Sequence, residues 1–313
     1  MRRYPRLSFE NIRTLSVRER KNLVTIENMA RPGGAPEPIW QTPELERLLT
    51  CIVSARTRHR PVIWSMGAHV IKNGLSRYVI DLVEQGWVTH VAGNGATSIH
   101  DFELAYLGGT SEDVATSIED GTFGMWEETG RWMNQAVQQA AERGTGYGEG
   151  IAAYIKRHPE RFPYAEDCVM ARTARAGRPY TCHLSLGTDI IHQHPHADFG
   201  ALAHCSGLDF ERFCRTVIDL DGGVFLNFGS AVSGPLIFLR AFSLAYHLGH
   251  SVRPLAAANF DLRSETGAPS RARAELLDPV GKVGGEAWHF TVAHEVSIPN
   301  LHWRLSALKE GAR

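Results

Sequence analysis

The chain has 313 residues, 43% hydrophobic and 21% charged, enough for a large globular body with a sizeable core. Its formal net charge of -1 excludes the strong positive field that draws proteins to nucleic acid or to anionic membrane surfaces. Five cysteines, at 51, 168, 182, 205 and 214, form no C-x-x-C pair, and the odd count fits free thiols in a reducing, cytoplasmic compartment.

Residues 1–40 read as an N-terminal arm: a basic start without the apolar core of a signal peptide, then the Pro/Gly stretch "ENMARPGGAPEPIW". Residues 41–313 read as one domain. A helix with a Thr cap covers 42–58, and "RPVIWSMGAHV" is a short apolar run closing at Gly67, the pattern of a buried parallel strand. "LSRYVIDLVEQG" is an amphipathic helix stopped by Gly86, and "WVTHVAGNGA" is the next strand, completing a strand-helix-strand unit. Helices are expected over 110–121, 123–144 and 150–158, then a strand and turn over 178–191 and a helix over 208–223. "GVFLNFGSAVSG" is a strand with a glycine-containing turn, "PLIFLRAFSLAYHLG" a helix, and "SVRPLAAANFD" another strand. The alternation predicts an α/β fold with a mainly parallel, doubly wound, Rossmann-like sheet and helices on both faces. No run approaches the roughly 18 apolar residues of a membrane span.

In such sheets ligands bind beyond the carboxyl ends of the strands. Four predicted strand ends carry glycine beside polar residues: Ser65-Met66-Gly67, Gly93-Asn94-Gly95, Gly187-Thr188-Asp189 and Asn227-Phe228-Gly229-Ser230. Together they point to a nucleotide or cofactor crevice, although Ser98 stands where the third glycine of G-x-G-x-x-G would be and no Walker A sequence occurs. Beyond Gly95, His100, Asp101 and Glu103 lie where a helix would begin; the carboxylates either favour the helix N-terminus or face a cationic ligand. The segment "GTDIIHQHPHADFGALAH" concentrates Asp189, His192, His194, His196, Asp198 and His204, which suit substrate contacts or, as an alternative, Zn²⁺ or Fe²⁺ in a hydrolase or lyase. His294-Glu295 follows a strand-like run and offers a general base with an orienting carboxylate, while H-E-x-x-H is absent. A non-catalytic nucleotide-binding module would leave these histidines unexplained.

With these turns laid out, the chain resembles the deoxyhypusine synthase family. "GLSRYVIDLVEQGWVTHVAGNGATSIHDFELA" is similar to the family's helix and strand leading to a Thr-x-Gly turn and acidic residues. "RPYTCHLSLGTDII" resembles its Pro-rich strand with an Asp-Gly-Ser-x-Gly-Asp turn, and "GGVFLNFGSAVSGP" its Asn-(Thr/Ser) strand and Ser/Gly-rich loop. The resemblance implies NAD as cofactor, a homotetramer, and dehydrogenation of an amine carbon with transfer of the alkylamine group. By position it puts Ser65, Gly67, Gly93, Asn94, Gly95, Asn227, Gly229 and Ser230 at the NAD site, with no metal. Asp101, Glu103, Asp189 and His192 would hold the substrate, and His100, His194, His294 and Glu295 would serve catalysis. The helix after the Ser/Gly loop carries neither the family's lysine nor its tryptophan, so no deoxyhypusine is expected; Lys282 is the one candidate substitute. The reading is an NAD-dependent transferase or oxidoreductase acting on a small, amine-containing molecule.

Overall fold

The computed structural model describes residues 4–263 and 270–310. The outermost three residues of the arm and of the domain, and residues 264–269, lie outside that description. At the centre is a six-stranded, all-parallel sheet: β1 Val62–Met66, β2 His90–Asn94, β3 Tyr180–His183, β4 Val224–Phe228, β5 Ala256–Asp261 and β6 Glu286–Thr291. The strands lie in the order 3-2-1-4-5-6, each parallel to its neighbour. That is the Rossmann order, which reverses direction between β1 and β4. All five residues of β1 and of β4 are buried, as parallel strands covered on both faces require.

Side chains alternate between two cores. Trp64, Phe228, Phe260 and Phe290 stack in sequence across one face, with centroid separations of 3.9, 4.3 and 4.9 Å. That face belongs to the core shared by α1 (Pro43–Thr57), α2 (Ser76–Glu84) and α8 (His294–Glu310). Ile63, Phe225 and Ala257 face the second core with α6 (Phe199–Ile218) and α7 (Ser233–His247). The remaining long helices are α3 (Gly95–Leu107), α4 (Glu127–Glu142) and α5 (Tyr147–Arg157). No helix among the described residues is long and apolar enough to cross a membrane.

Several elements differ from expectation. Gly109–Glu112, read as part of a helix, is a strand that pairs antiparallel with Asn22–Thr25, leaving a helix only at Val114–Glu119. The partner strand is about ninety positions upstream, beyond the reach of local periodicity. Helix α6 starts at Phe199 rather than 208, because the Asp198 side chain accepts from Ala201 N at 3.0 Å and caps it there. The arm folds back on the body: Val17 and Met29 are buried, and Trp40 sets its edge on Phe290 at 5.3 Å.

Candidate functional site

The crevice opens where β1 and β4 diverge. Gly67 N donates to Phe228 O (2.9 Å) and Gly229 N to Phe260 O (3.1 Å), so the main chain continues the sheet register past the strand ends. A Cβ on Gly67 would stand 2.6 Å from Gly229 O, too close for any side chain. Gly229 takes φ +64, and a Cβ there would meet His294 Nε2 at 2.5 Å. Asn227 Nδ2 donates to Ser230 O (3.0 Å) and to Asn259 Oδ1 (2.7 Å), while its own Oδ1, buried, has no partner. Ser230 Oγ accepts from Gly234 N (2.9 Å), which ties the turn to the start of α7. The crevice encloses about 500 Å³, bordered by Gly67, Asn94, Gly95, His183, Asp189 and the turn Gly229–Ser233. Ser65 lies deeper, 4% exposed, on the wall of a small void beneath it.

Two of the expected cofactor residues have a structural task. Asn94 Oδ1 accepts from Thr97 N (2.9 Å) and so caps α3 at the crevice edge. Gly93 makes room for Tyr180, whose hydroxyl would be 2.3 Å from a Cβ, and does not border the large crevice.

A second cavity of about 470 Å³ adjoins the first, bordered by Arg20, Lys72, His100, Glu103 and Asp113 among others. The two share Ala96, Thr188 and Asp189. Asp189 stands at this junction with its side chain 7% exposed; Oδ2 has no hydrogen-bond partner and lies 3.8 Å from His192 Nε2. Burial pushes the Asp189 carboxyl up to about 6. Nδ1 of His192 accepts from Gly187 N and Asp189 N, both at 3.1 Å, so its proton sits on Nε2, toward the Asp189 carboxylate. A Cβ on Gly95 would be 1.8 Å from Asp189 Oδ2, which explains why glycine opens α3. His100 Nδ1 meets Thr110 Oγ1 at 2.7 Å, and burial pushes its imidazole down to about 4, with Glu103 pulling the other way.

Other expected site residues are placed elsewhere. Asp101 borders neither cavity: its carboxylate accepts from Val169 N, Met170 N (both 2.8 Å) and Cys168 Sγ (3.1 Å), holding the start of the helix Val169–Arg175. Glu103 borders the second cavity, but Arg20 pairs with it bidentately at 2.8 Å and Thr110 and Thr129 donate to it. Burial raises its carboxyl, the adjacent guanidinium more than offsets this, and Glu103 offers no spare charge for a cation. His194 borders neither cavity; its Nε2 lies 3.3 Å from Glu127 Oε2, and its ring packs on Gly130. His192, His194 and His196 do not form one array: the rings of His194 and the exposed His196 stack at 5.3 Å, whereas His192 turns to Asp189. Among the described residues no three His, Cys, Asp or Glu side chains come together as a metal set. His294 is 7% exposed behind Gly229, but Glu295 is exposed and His294 Nδ1 has no partner, so the expected orienting pair is not formed. Lys282 ends the short helix Asp278–Lys282 just before β6, at the amino edge of the sheet, opposite the crevice.

Three bordering residues escaped the sequence reading. Lys72 belongs to a one-turn helix that periodicity does not reveal, and Arg20 arrives from the arm. His183 is the last residue of β3, which ends six residues before the Asp189 taken as its strand end. A polar residue closing "YTCH" was the available signal.

No protein-family model and no curated protein matches the chain. Solved structures do. A conserved LOR/SDH protein from Methanococcus maripaludis is 14% identical, covering 89% of this chain and 76% of its own, with a TM-score of 0.53. AgrE, solved as a ternary complex with ornithine and NAD+, is 13% identical over 85% of this chain, with a TM-score of 0.51. This chain spans only 33% of AgrE. A protein described as a deoxyhypusine synthase from Entamoeba histolytica is 10% identical, covering 85% of this chain and 88% of its own, with a TM-score of 0.50. At these identities the likeness is one of fold, and it includes the deoxyhypusine synthase-like fold expected from the turns.

Proposed function

We propose that the chain is an NAD-dependent enzyme that dehydrogenates a small substrate bearing an amine or hydroxyl, with or without onward transfer of the resulting group. One observation carries the reading: the crevice at the reversal of strand order shares Asp189 with a second, substrate-sized cavity. In this fold the reversal is where dinucleotides bind. The crevice lies there, bordered by Gly67 and Asn94 at two strand ends, by Gly95 and His183, and by the turn Gly229–Ser233 at which α7 begins. Ser65, Gly67, Asn94, Gly95, Asn227, Gly229 and Ser230 would surround the nucleotide. NAD, when bound, supplies the hydride acceptor.

The second cavity takes the substrate, whose reacting end would pass Asp189 into the crevice that His183 borders. Asp189 offers a buried carboxylate to an ammonium and Lys72 a cation to a carboxylate, so an amine-bearing acid is the class the cavity suits. That AgrE was solved with ornithine and NAD+ supports the same pairing. Neither Lys282 nor the helix after Ser230 offers a lysine for an imine with an aminobutyl group, which argues against deoxyhypusine formation. We further propose a cytoplasmic homo-oligomer, a tetramer, with the exposed Leu23 and Val114 at the cavity mouth covered by a neighbouring copy.

The test has two arms. Saturating NAD+ is expected to raise the thermal midpoint, and a panel of amines and amino acids including L-ornithine and spermidine should yield NADH absorbance with at least one member. If neither NAD+ nor NADP+ moves the midpoint, the reading is lost. Borohydride trapping after NAD+ and spermidine is expected to leave the intact mass unchanged; an adduct on Lys72 would make that residue the nucleophile.

A further inference from the structure

A chain of hydrogen bonds leads from the crevice through the sheet and out to α6. His183 borders the crevice, 6% exposed, and its Nδ1 has no partner. Its Nε2 lies 3.1 Å from Thr181 Oγ1, which lies 2.9 Å from His90 Nε2. His90 Nδ1 lies 2.9 Å from Thr216 Oγ1 on α6. His90 and Thr181 are fully buried, whereas Thr216 is half-buried at the outer side. Phe213 sets its ring edge-on to both histidines, at 5.7 and 5.1 Å, and walls the chain off laterally.

Counting protons fixes its direction. Thr216 Oγ1 donates to Arg212 O at 3.3 Å, so it accepts from His90 and the His90 proton is on Nδ1. His90 Nε2 is then an acceptor, and the Thr181 hydroxyl must donate to it. Thr181 has one proton, so it accepts from His183 Nε2–H. With Thr216 donating to Arg212 O the links run in one sense and leave a bare lone pair on His183 Nδ1 at the crevice. Burial pushes His183 down to about 4 and His90 to about 3, so both rings are neutral at ordinary pH.

We infer that His183 Nδ1 is the proton acceptor of the dehydrogenation and that Thr181, His90 and Thr216 relay the proton to solvent. This rests on the reading of the crevice as an NAD site. The substrate C–H bond breaks and its electron pair reduces NAD+ to NADH; the adjacent N–H or O–H bond breaks and a C=N or C=O bond forms. The proton released joins His183 Nδ1 while the Nε2 proton passes to Thr181, that of Thr181 to His90 Nε2, and the His90 Nδ1 proton to Thr216, whose own hydroxyl proton turns from Arg212 O to a solvent water that carries it away. One hydride and one proton leave the substrate, and the chain of hydrogen bonds gives the proton a route separate from the nucleotide.

The ring tautomers are measurable by nitrogen NMR on histidine-labelled protein, without nucleotide or substrate, so wire and cofactor reading fail separately. The expected result is His183 protonated on Nε2 and His90 on Nδ1, with both ring signals displaced in Thr181→Val and restored in Thr181→Ser. A proton on His183 Nδ1, or signals unmoved in Thr181→Val, would overturn the assignment. With NAD+ and an accepted amine, Thr181→Val should cut kcat by about 10²-fold with KM and nucleotide affinity unchanged, and Thr181→Ser should recover it. Equal kcat in Thr181→Val and wild type would also overturn it.

Discussion

Burial holds the Asp189 carboxyl at about 6, against an ordinary 3.8, with one oxygen unpartnered. For an acid whose folded pKa is raised, the folded state keeps its proton longer, so stability is full below the unfolded value and is lost as pH rises through 3.8 to about 6. The ionised group therefore costs on the order of 1–3 kcal/mol at pH 7. Asp189→Asn should be more stable than wild type by that order at pH 7 in urea denaturation, the gain fading below about pH 4, while turnover falls. A variant no more stable at pH 7 would mean the carboxylate has a partner in solution. Gly67→Ala should cost about 1–3 kcal/mol, because its methyl can only be accommodated by separating two backbones. It should also weaken NAD+ in calorimetry; unchanged affinity would place the nucleotide elsewhere. The sequence indicated Gly67 as the glycine that ends a strand and Asp189 as the polar residue that follows Gly187 in a turn. It misassigned Asp101, since a carboxylate at a helix start reads alike whether it meets a ligand or, as here, backbone N–H groups about 70 residues onward.

Elements were legible in proportion to how local their causes are. Strands β1 and β4 are apolar runs stopped by glycine and were read with their turns, and α2 carries its own periodicity and stop signal. The ribbon Asn22–Thr25 with Gly109–Glu112 was missed because its pairing, not its composition, makes it extended. Helix α8 was missed because Pro299 lies inside it and its first residues follow a strand-like run. The arm matters energetically through Arg20, fully paired with Glu103 in the interior. Arg20→Ala leaves that carboxylate buried without its counter-charge, so a loss of about 3–5 kcal/mol is expected in chemical denaturation. Arg20→Ala together with Glu103→Gln should recover much of it, and a single variant within 1 kcal/mol of wild type would contradict the burial of the pair.

At the scale of the whole molecule, the parallel, doubly wound sheet followed from the alternation of strands and helices, whereas the order of its strands and the assembly have no such signature in one chain. A ligand that binds only the folded state stabilises it by about 2.7 kcal/mol at a hundredfold excess over its Kd. NAD+ titrated into the protein should therefore raise the midpoint progressively with the logarithm of concentration. Light scattering at micromolar concentration is expected to give a tetramer; a monomer with NAD+ turnover intact would detach assembly from function.

The aromatic stack has an optical consequence. Trp64 is fully buried one residue before Ser65 and stacks on Phe228, directly beneath the backbone that walls the crevice. An indole held rigidly in an apolar core emits at short wavelength, in the band that reduced nicotinamide absorbs. Bound NADH should quench that emission by energy transfer, NAD+ should not, and Trp64→Phe should remove most of the difference while preserving the stack. The protein thus carries, in its own sheet, an indicator of the redox state of whatever nucleotide lies above it.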